Sequence, residues 1–204
     1  MYTIDVKLVG LATILFNTWT PEERESFQAG TSGQTVTEEE RITIAAKKVY
    51  RNEGPNLILP EQNIIKMLLD STKGAPKMKG ASVYTRIKAM VFVEHHSGVF
   101  NATAFDDIYS RTGRQPPGPR GGPCIVRTPY LKEGWELRYR LNVFDKTFPP
   151  DILRAVHDYG GLYTGFCGWR PRYGRFNVAD WVVDGYVTAK EDRQEKVKGK
   201  GGKR

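Results

Sequence analysis

The sequence predicts an α+β chain built on a ferredoxin-like (RRM-like) βαββαβ core. Three observations lead there. Side chains alternate over 2–9, 83–93 and 135–143 with the period of a strand, and 176–178 with 181–187 supply a last one. Apolar residues recur at helical spacing after Pro60 and after Pro150. In chain order the core then reads strand, helix, strand, strand, helix, strand. The 204 residues suit one domain, 1–189, with insertions at about 17–60 and 95–134 and a basic flexible tail at 190–204.

The first strand sets Tyr2, Ile4, Val6 and Leu8 against Thr3, Asp5 and Lys7, and Gly10 marks a bulge or bend before a second apolar stretch at 11–16. Residues 20–40 turn polar, with Gly30, Ser32, Gly33 and three glutamates at 38–40, and read as an inserted mobile segment. Short apolar runs at 47–50 and 57–59 suggest a hairpin with a longer turn. Pro60 and Glu61 open a helix with Ile64, Ile65, Leu68 and Leu69 on one face, ending before Gly74 and Pro76. Residues 83–93 predict a long strand, one face carrying Tyr84, Arg86, Lys88, Met90 and Phe92. Proline and glycine make 106–123 the clearest loop, unsuited to helix or ladder, and it presents Arg111, Arg114 and Arg120. Trp135, Leu137, Tyr139, Leu141 and Val143 define the best strand. The second helix aligns Ile152, Leu153, Val156, Tyr159 and Tyr163. Gly160 and Gly161 signal close packing on the sheet or an early end, and the last strand has a bend at 179–180.

Composition bounds the function. With 39% hydrophobic residues the chain can bury a core, so full disorder is excluded. The formal charge of +8 points to an anionic partner, and half of that excess lies in 190–204, with seven basic and three acidic residues. Two cysteines, Cys124 and Cys167, argue against a disulfide scaffold or a cysteine-rich zinc site and read as free buried thiols. No apolar run approaches the roughly 18 residues of a membrane span. The first residues lack a basic-then-apolar leader, so a cytoplasmic setting without membrane contact is expected. Neither a metal nor a cofactor is predicted, because zinc ligand sets, a nucleophile elbow and a P-loop are all missing.

The most unusual stretch is 160–176. Gly165, Gly168 and Gly174 allow close backbone approach, and N–H groups at such turns can hold phosphate oxygens. Arg170, Arg172 and Arg175 supply charge, with Trp169 and Tyr173 interleaved for base stacking. A tight helix-to-strand connection explains the glycines equally well. A second candidate surface is the open sheet face. If the second and third core strands are neighbours, Arg86 and Lys88 share it with Arg138 and Arg140, beside Tyr84 and Phe92. The alternative is a solvated face of cross-strand ion pairs through Glu136.

The glycine-rich segment before the last strand resembles the G-rich loop of the repeat-associated mysterious protein (RAMP) superfamily, the RNA-binding subunits of CRISPR effector complexes. Residues 6–16 resemble the first strand and turn of their backbone subunits, and 56–60 resemble the entry to their first helix. In that superfamily a "thumb" emerges between the second and third core strands, where this chain has its Arg-Pro-Gly segment. The resemblance implies a ferredoxin-like fold, single-stranded RNA as partner, and self-association or a multisubunit complex along the strand. The 168–176 pattern looks equally like small proteins of phages and prophages.

The leading expectation is a non-catalytic protein that grips the phosphates of single-stranded RNA or DNA, RNA preferred. One alternative is a metal-independent ribonuclease using His95 or His96 as general acid or base. Adjacent strand residues face opposite ways, so these two cannot easily share a metal, and ordinary strand-end histidines are the plainer reading. His157 reads as a surface or helix-packing residue, and Asp106 and Asp107 as solvated turn carboxylates. Another alternative is a viral structural or interaction protein whose Trp and Tyr patches make the contacts.

Overall fold

Strand β1 (Tyr2–Gly10) buries every second side chain, and that alternation decides which way the main sheet faces. The computed structural model describes residues 1–16, 18, 25, 37–51, 53–76, 78, 82–95, 98–115 and 122–186. The remaining elements are β2 (Ile14–Leu15), α1 (Glu38–Ala46), α2 (Glu61–Ser71), α3 (Val83–Met90), β3 (Val91–Val93), β4 (Val99–Phe100), β5 (Asp107–Gln115), β6 (Gly122–Leu131), β7 (Glu136–Val143), α4 (Pro150–Tyr159) and β8 (Phe176–Asp184). The chain is α+β with antiparallel sheets.

The main sheet runs β3-β7-β1-β8, with β4 pairing the other end of β7. Register places Tyr2 opposite Val143, Ile4 opposite Leu141, Val6 opposite Tyr139 and Leu8 opposite Leu137, all buried. Helices α2 and α4 close this apolar face with Ile64, Met67, Leu68, Leu153 and Val156. The expected bend in the last strand is a register shift: Lys7 faces Asp180 and Leu8 faces Val178, so Ala179 is the extra residue of a bulge. A second sheet, β2-β6-β5, stands beside the first.

The expected strand over 83–93 is mostly helix. Ser82 caps it by accepting the Thr85 N–H at 3.2 Å, and Val83 and Ile87, four apart, turn into the core. Their spacing satisfies period 2 and period 3.6 alike, and the cap decides between them. Only β3 is extended, so Arg86 and Lys88 lie on α3 and not on the sheet face with Arg138 and Arg140. The expected loop at 106–123 is a ladder along most of its length. Residues Asp107 to Gln115 pair with Tyr130 back to Gly122. Proline lacks a donor but keeps its acceptor, and the Pro129 carbonyl takes the Phe16 N–H at 2.9 Å. The three glutamates at 38–40 form the first turn of α1 behind a Thr37–Glu40 capping box, not part of a mobile segment. The expected hairpin at 47–59 reduces to an isolated bridge from Arg51 to Leu57.

Buried His157 lies between the Tyr139 ring, stacked at 6.1 Å, and the Trp181 ring, edge-on at 4.9 Å. Its Nδ1 bonds the Leu153 carbonyl at 2.7 Å, while Nε2 has no partner among the described residues. Burial pushes its pKa down to about 4. The unfolded chain takes up this proton below about pH 6.5, and the folded chain refuses it until about pH 4. Stability therefore falls as pH drops through that window and levels off beneath it. Urea midpoints should show a loss of about 2 kcal/mol between pH 7 and pH 5. His157→Phe should flatten that dependence, and an equally steep loss in the variant would contradict the assignment.

Candidate nucleic-acid interface

The glycine-rich segment is closed by its own backbone. Helix α4 passes into a π-type turn over Gly160–Thr164, where a Cβ on Gly161 would meet the Phe176 carbonyl at 2.1 Å. Gly165 and Gly174 hold φ of 71° and 70°, and the Phe166 N–H bonds the Gly174 carbonyl at 3.0 Å. Phe166 then stacks on Phe176 at 4.8 Å. The Gly165 N–H goes to the Gly160 carbonyl, that of Gly168 to Leu15, and that of Gly174 to Thr13. The three glycines thus shape and anchor the loop, and their donors point inward instead of toward a phosphate.

Anchoring to β2 carries the loop to the second sheet, because β2 pairs β6 and β6 pairs β5. One face of the β5–β6 ladder presents Tyr109 and Arg111, two residues apart, opposite Thr128 and Val126. This face meets the loop. The Arg111 guanidinium lies over the Trp169 ring. Tyr109 stands edge-on to Trp169 at 5.9 Å, and Tyr173 lies 6.0 Å from Tyr109 and 6.2 Å from Trp169. The Tyr173 hydroxyl donates to that of Tyr109 at 3.4 Å, which holds the Tyr173 pKa above the usual phenol value. On the opposite ladder face Arg127 pairs with Glu38 and docks α1.

The predicted residues therefore sort into three groups. Arg111, Trp169 and Tyr173 converge, together with Tyr109, which sequence reasoning missed. Its alternation with Arg111 along a strand is the available signal, obscured by the proline- and glycine-rich composition of 106–123. Arg172 and Arg175 are exposed on the same loop, without a carboxylate partner among the described residues. A second group is held in ion pairs. Arg86 bonds Asp145 at 3.0 Å and Thr147 at 3.2 Å, and Arg170 meets Asp70 at 3.5 Å. Arg140 takes both Asp5 oxygens, at 2.6 and 3.0 Å, and that bond raises its pKa. Lys7 bonds Glu136 at 2.9 Å, and Arg138 lies 4.0 Å from the same carboxylate with 68% of its side chain exposed. The open sheet face thus carries ion pairs through Asp5 and Glu136, with Lys7 directly opposite Arg138.

The last group stays apart. Lys88 is exposed on α3, and His95 is exposed just past β3. Arg120, His96 and the 190–204 tail lie outside the described residues, as does the Arg114 side chain, though the Arg114 backbone pairs with Pro123. Burial pushes the Cys167 thiol up to about 12, away from thiolate chemistry. No metal-ligand cluster occurs among the described residues, and no helix there is long and apolar enough to cross a membrane.

No family model matches the chain, and no curated protein matches it. Among solved structures it is similar to a chain of the cryo-EM structure of the Type III-B Cmr-beta bound to cognate target RNA. That similarity has 11% identity and a TM-score of 0.46 over 91% of this chain, which spans 62% of the other.

Gly174→Ala should cost at least about 2 kcal/mol, because the φ is positive and a Cβ would meet the Phe166 carbonyl at 2.2 Å. Arg172→Ala and Arg175→Ala should stay within about 0.5 kcal/mol of the parent. Thermal melts of the three variants check this; a Gly174→Ala midpoint equal to the parent's would refute the loop's closure.

Proposed function

We propose that the chain is a ferredoxin-like, RAMP-like module that binds single-stranded nucleic acid, RNA in preference to DNA, without catalysis. The observation that carries this reading is the junction of Arg111 with Tyr109, Trp169 and Tyr173, flanked by Arg172 and Arg175, which have no carboxylate partner among the described residues. Guanidinium groups bind phosphate oxygens in pairs, and aromatic faces accept any base, so the combination grips a strand with little readout of sequence. Two features of the fold support the ferredoxin-like and RAMP-like parts. The strand order β3-β7-β1-β8, joined through α2 and α4, matches a βαββαβ core, and a long hairpin leaves that core between β3 and β7. The preference for RNA follows the sequence resemblance.

The working surface is narrower than the charge of +8 suggests. It comprises the hairpin base and the loop, while the sheet arginines hold the sheet together. Counterion release makes the two roles separable. Anisotropy titrations of a labelled single-stranded RNA across salt should give log K falling linearly with log salt. Arg111→Gln, Arg172→Gln and Arg175→Gln should each reduce that slope by about 0.7 to 1. Arg140→Gln should leave it unchanged. Affinity that is flat against salt, or a slope lost only on deleting 190–204, would defeat the proposal.

A further inference from the structure

Trp169 sits in an uncommon way. Its φ is 57°, a left-handed conformation that a bulky residue rarely adopts. Core packing does not compensate, since Trp169 is only half-buried and the loop's core contacts come from Phe166 and Phe176. The strained backbone instead holds the indole against the hairpin. Tyr109 and Tyr173 meet it at 80° and 62°, so neither ring lies parallel on its face. The face is covered by Arg111, a planar cation with no carboxylate partner among the described residues.

From this geometry, and resting on the nucleic-acid reading above, we infer that the Trp169 face is the stacking site for one unpaired nucleobase. The Arg111 guanidinium fills that site in the free protein. A planar guanidinium and a base both stack on an indole, and the base does so with the larger surface. An incoming base displaces the guanidinium, and the base's own phosphate gives the displaced cation the partner it lacks. The hydroxyl contact between Tyr109 and Tyr173, at 3.4 Å, links the two rings beside the slot. Trp169 is then the stacking residue and Arg111 both placeholder and phosphate ligand.

The test compares two RNA decamers, one of riboadenosine and one in which every base is replaced by an abasic ribose. Their shared backbone isolates the base contact. The full-length wild-type protein should bind the adenosine decamer on the order of 5- to 150-fold more tightly, the range for one base stack. Trp169→Leu should bind the two decamers nearly alike while melting cooperatively. Arg111→Ala should weaken both complexes but preserve or raise their ratio, because the slot is then open and only a phosphate contact is lost. Equal affinity of the wild type for the two decamers overturns the stacking site, and so does an undiminished ratio in Trp169→Leu. A ratio that collapses in Arg111→Ala overturns the displacement, since the guanidinium would then hold the base itself. Absence of binding to either decamer removes the nucleic-acid reading along with this one.

Discussion

The backbone of residues 11–16 is the part on which the rest of the structure depends. The Leu11 N–H bonds the Arg175 carbonyl, and the Thr13 and Leu15 carbonyls accept from Gly174 and Gly168. The Ala12 carbonyl takes the indole N–H of Trp135 at 2.8 Å. Ile14 and Leu15 pair with Leu131 and Tyr130, and the Phe16 N–H goes to Pro129. Six consecutive residues thus bind the end of the main sheet, the glycine-rich loop and the hairpin sheet at once. Gly10 precedes them for a steric reason: a Cβ there would lie 2.3 Å from the Trp135 ring. Buried backbone groups left without partners cost free energy comparable to a lost hydrogen bond. The segment is therefore held from both sides, and the loop cannot drift from the hairpin without exposing several of these groups together.

Charge is arranged by the same logic. In the main sheet Arg140 stands opposite Asp5, while Lys7, opposite Arg138, reaches Glu136 on the diagonal. Such pairs contribute little stability each, but they cancel the field over the sheet. Arg111 stands in the β5–β6 ladder opposite Val126 and not opposite a carboxylate, and it rests on an aromatic face instead. Three arginines scattered along the chain, Arg111, Arg172 and Arg175, therefore come to one hairpin and the loop that meets it, with no carboxylate partner among the described residues.

Strands β1, β7 and β8 and both core helices were legible in the sequence, because apolar patterning and helical spacing report burial directly. Residues 83–93 were not, since Val83 and Ile87 fit either period and the deciding cap is a single serine, Ser82. The hairpin was hidden by its prolines and glycines, which weigh against a ladder in composition but are tolerated at particular positions, as Pro129 shows. Of the interface, the loop residues stood out by composition. Their partner Tyr109 did not, because contact between positions 109 and 169 arises from a three-strand relay through β6 and β2 that no local pattern encodes. The roles of the arginines depended on the same unseen geometry: Arg86 and Arg140 look in sequence like Arg111 and differ only in what the fold sets beside them.

Placement at a junction has a further consequence for the site. Trp169 belongs to a loop fixed to the main sheet through Phe176 and to β2 through Gly168, whereas Tyr109 and Arg111 belong to β5, the outer strand of the second sheet. The distances among the three aromatic rings therefore measure the position of the hairpin relative to the core. Ring contacts near 6 Å are individually worth only about 1 kcal/mol, much less than the ladders on either side. If the two sheets shift, the aromatic cluster yields before either sheet does. A ligand seated in the cluster would thus bind most tightly in the hairpin position that completes it, and would favour that position by its difference in affinity for the two.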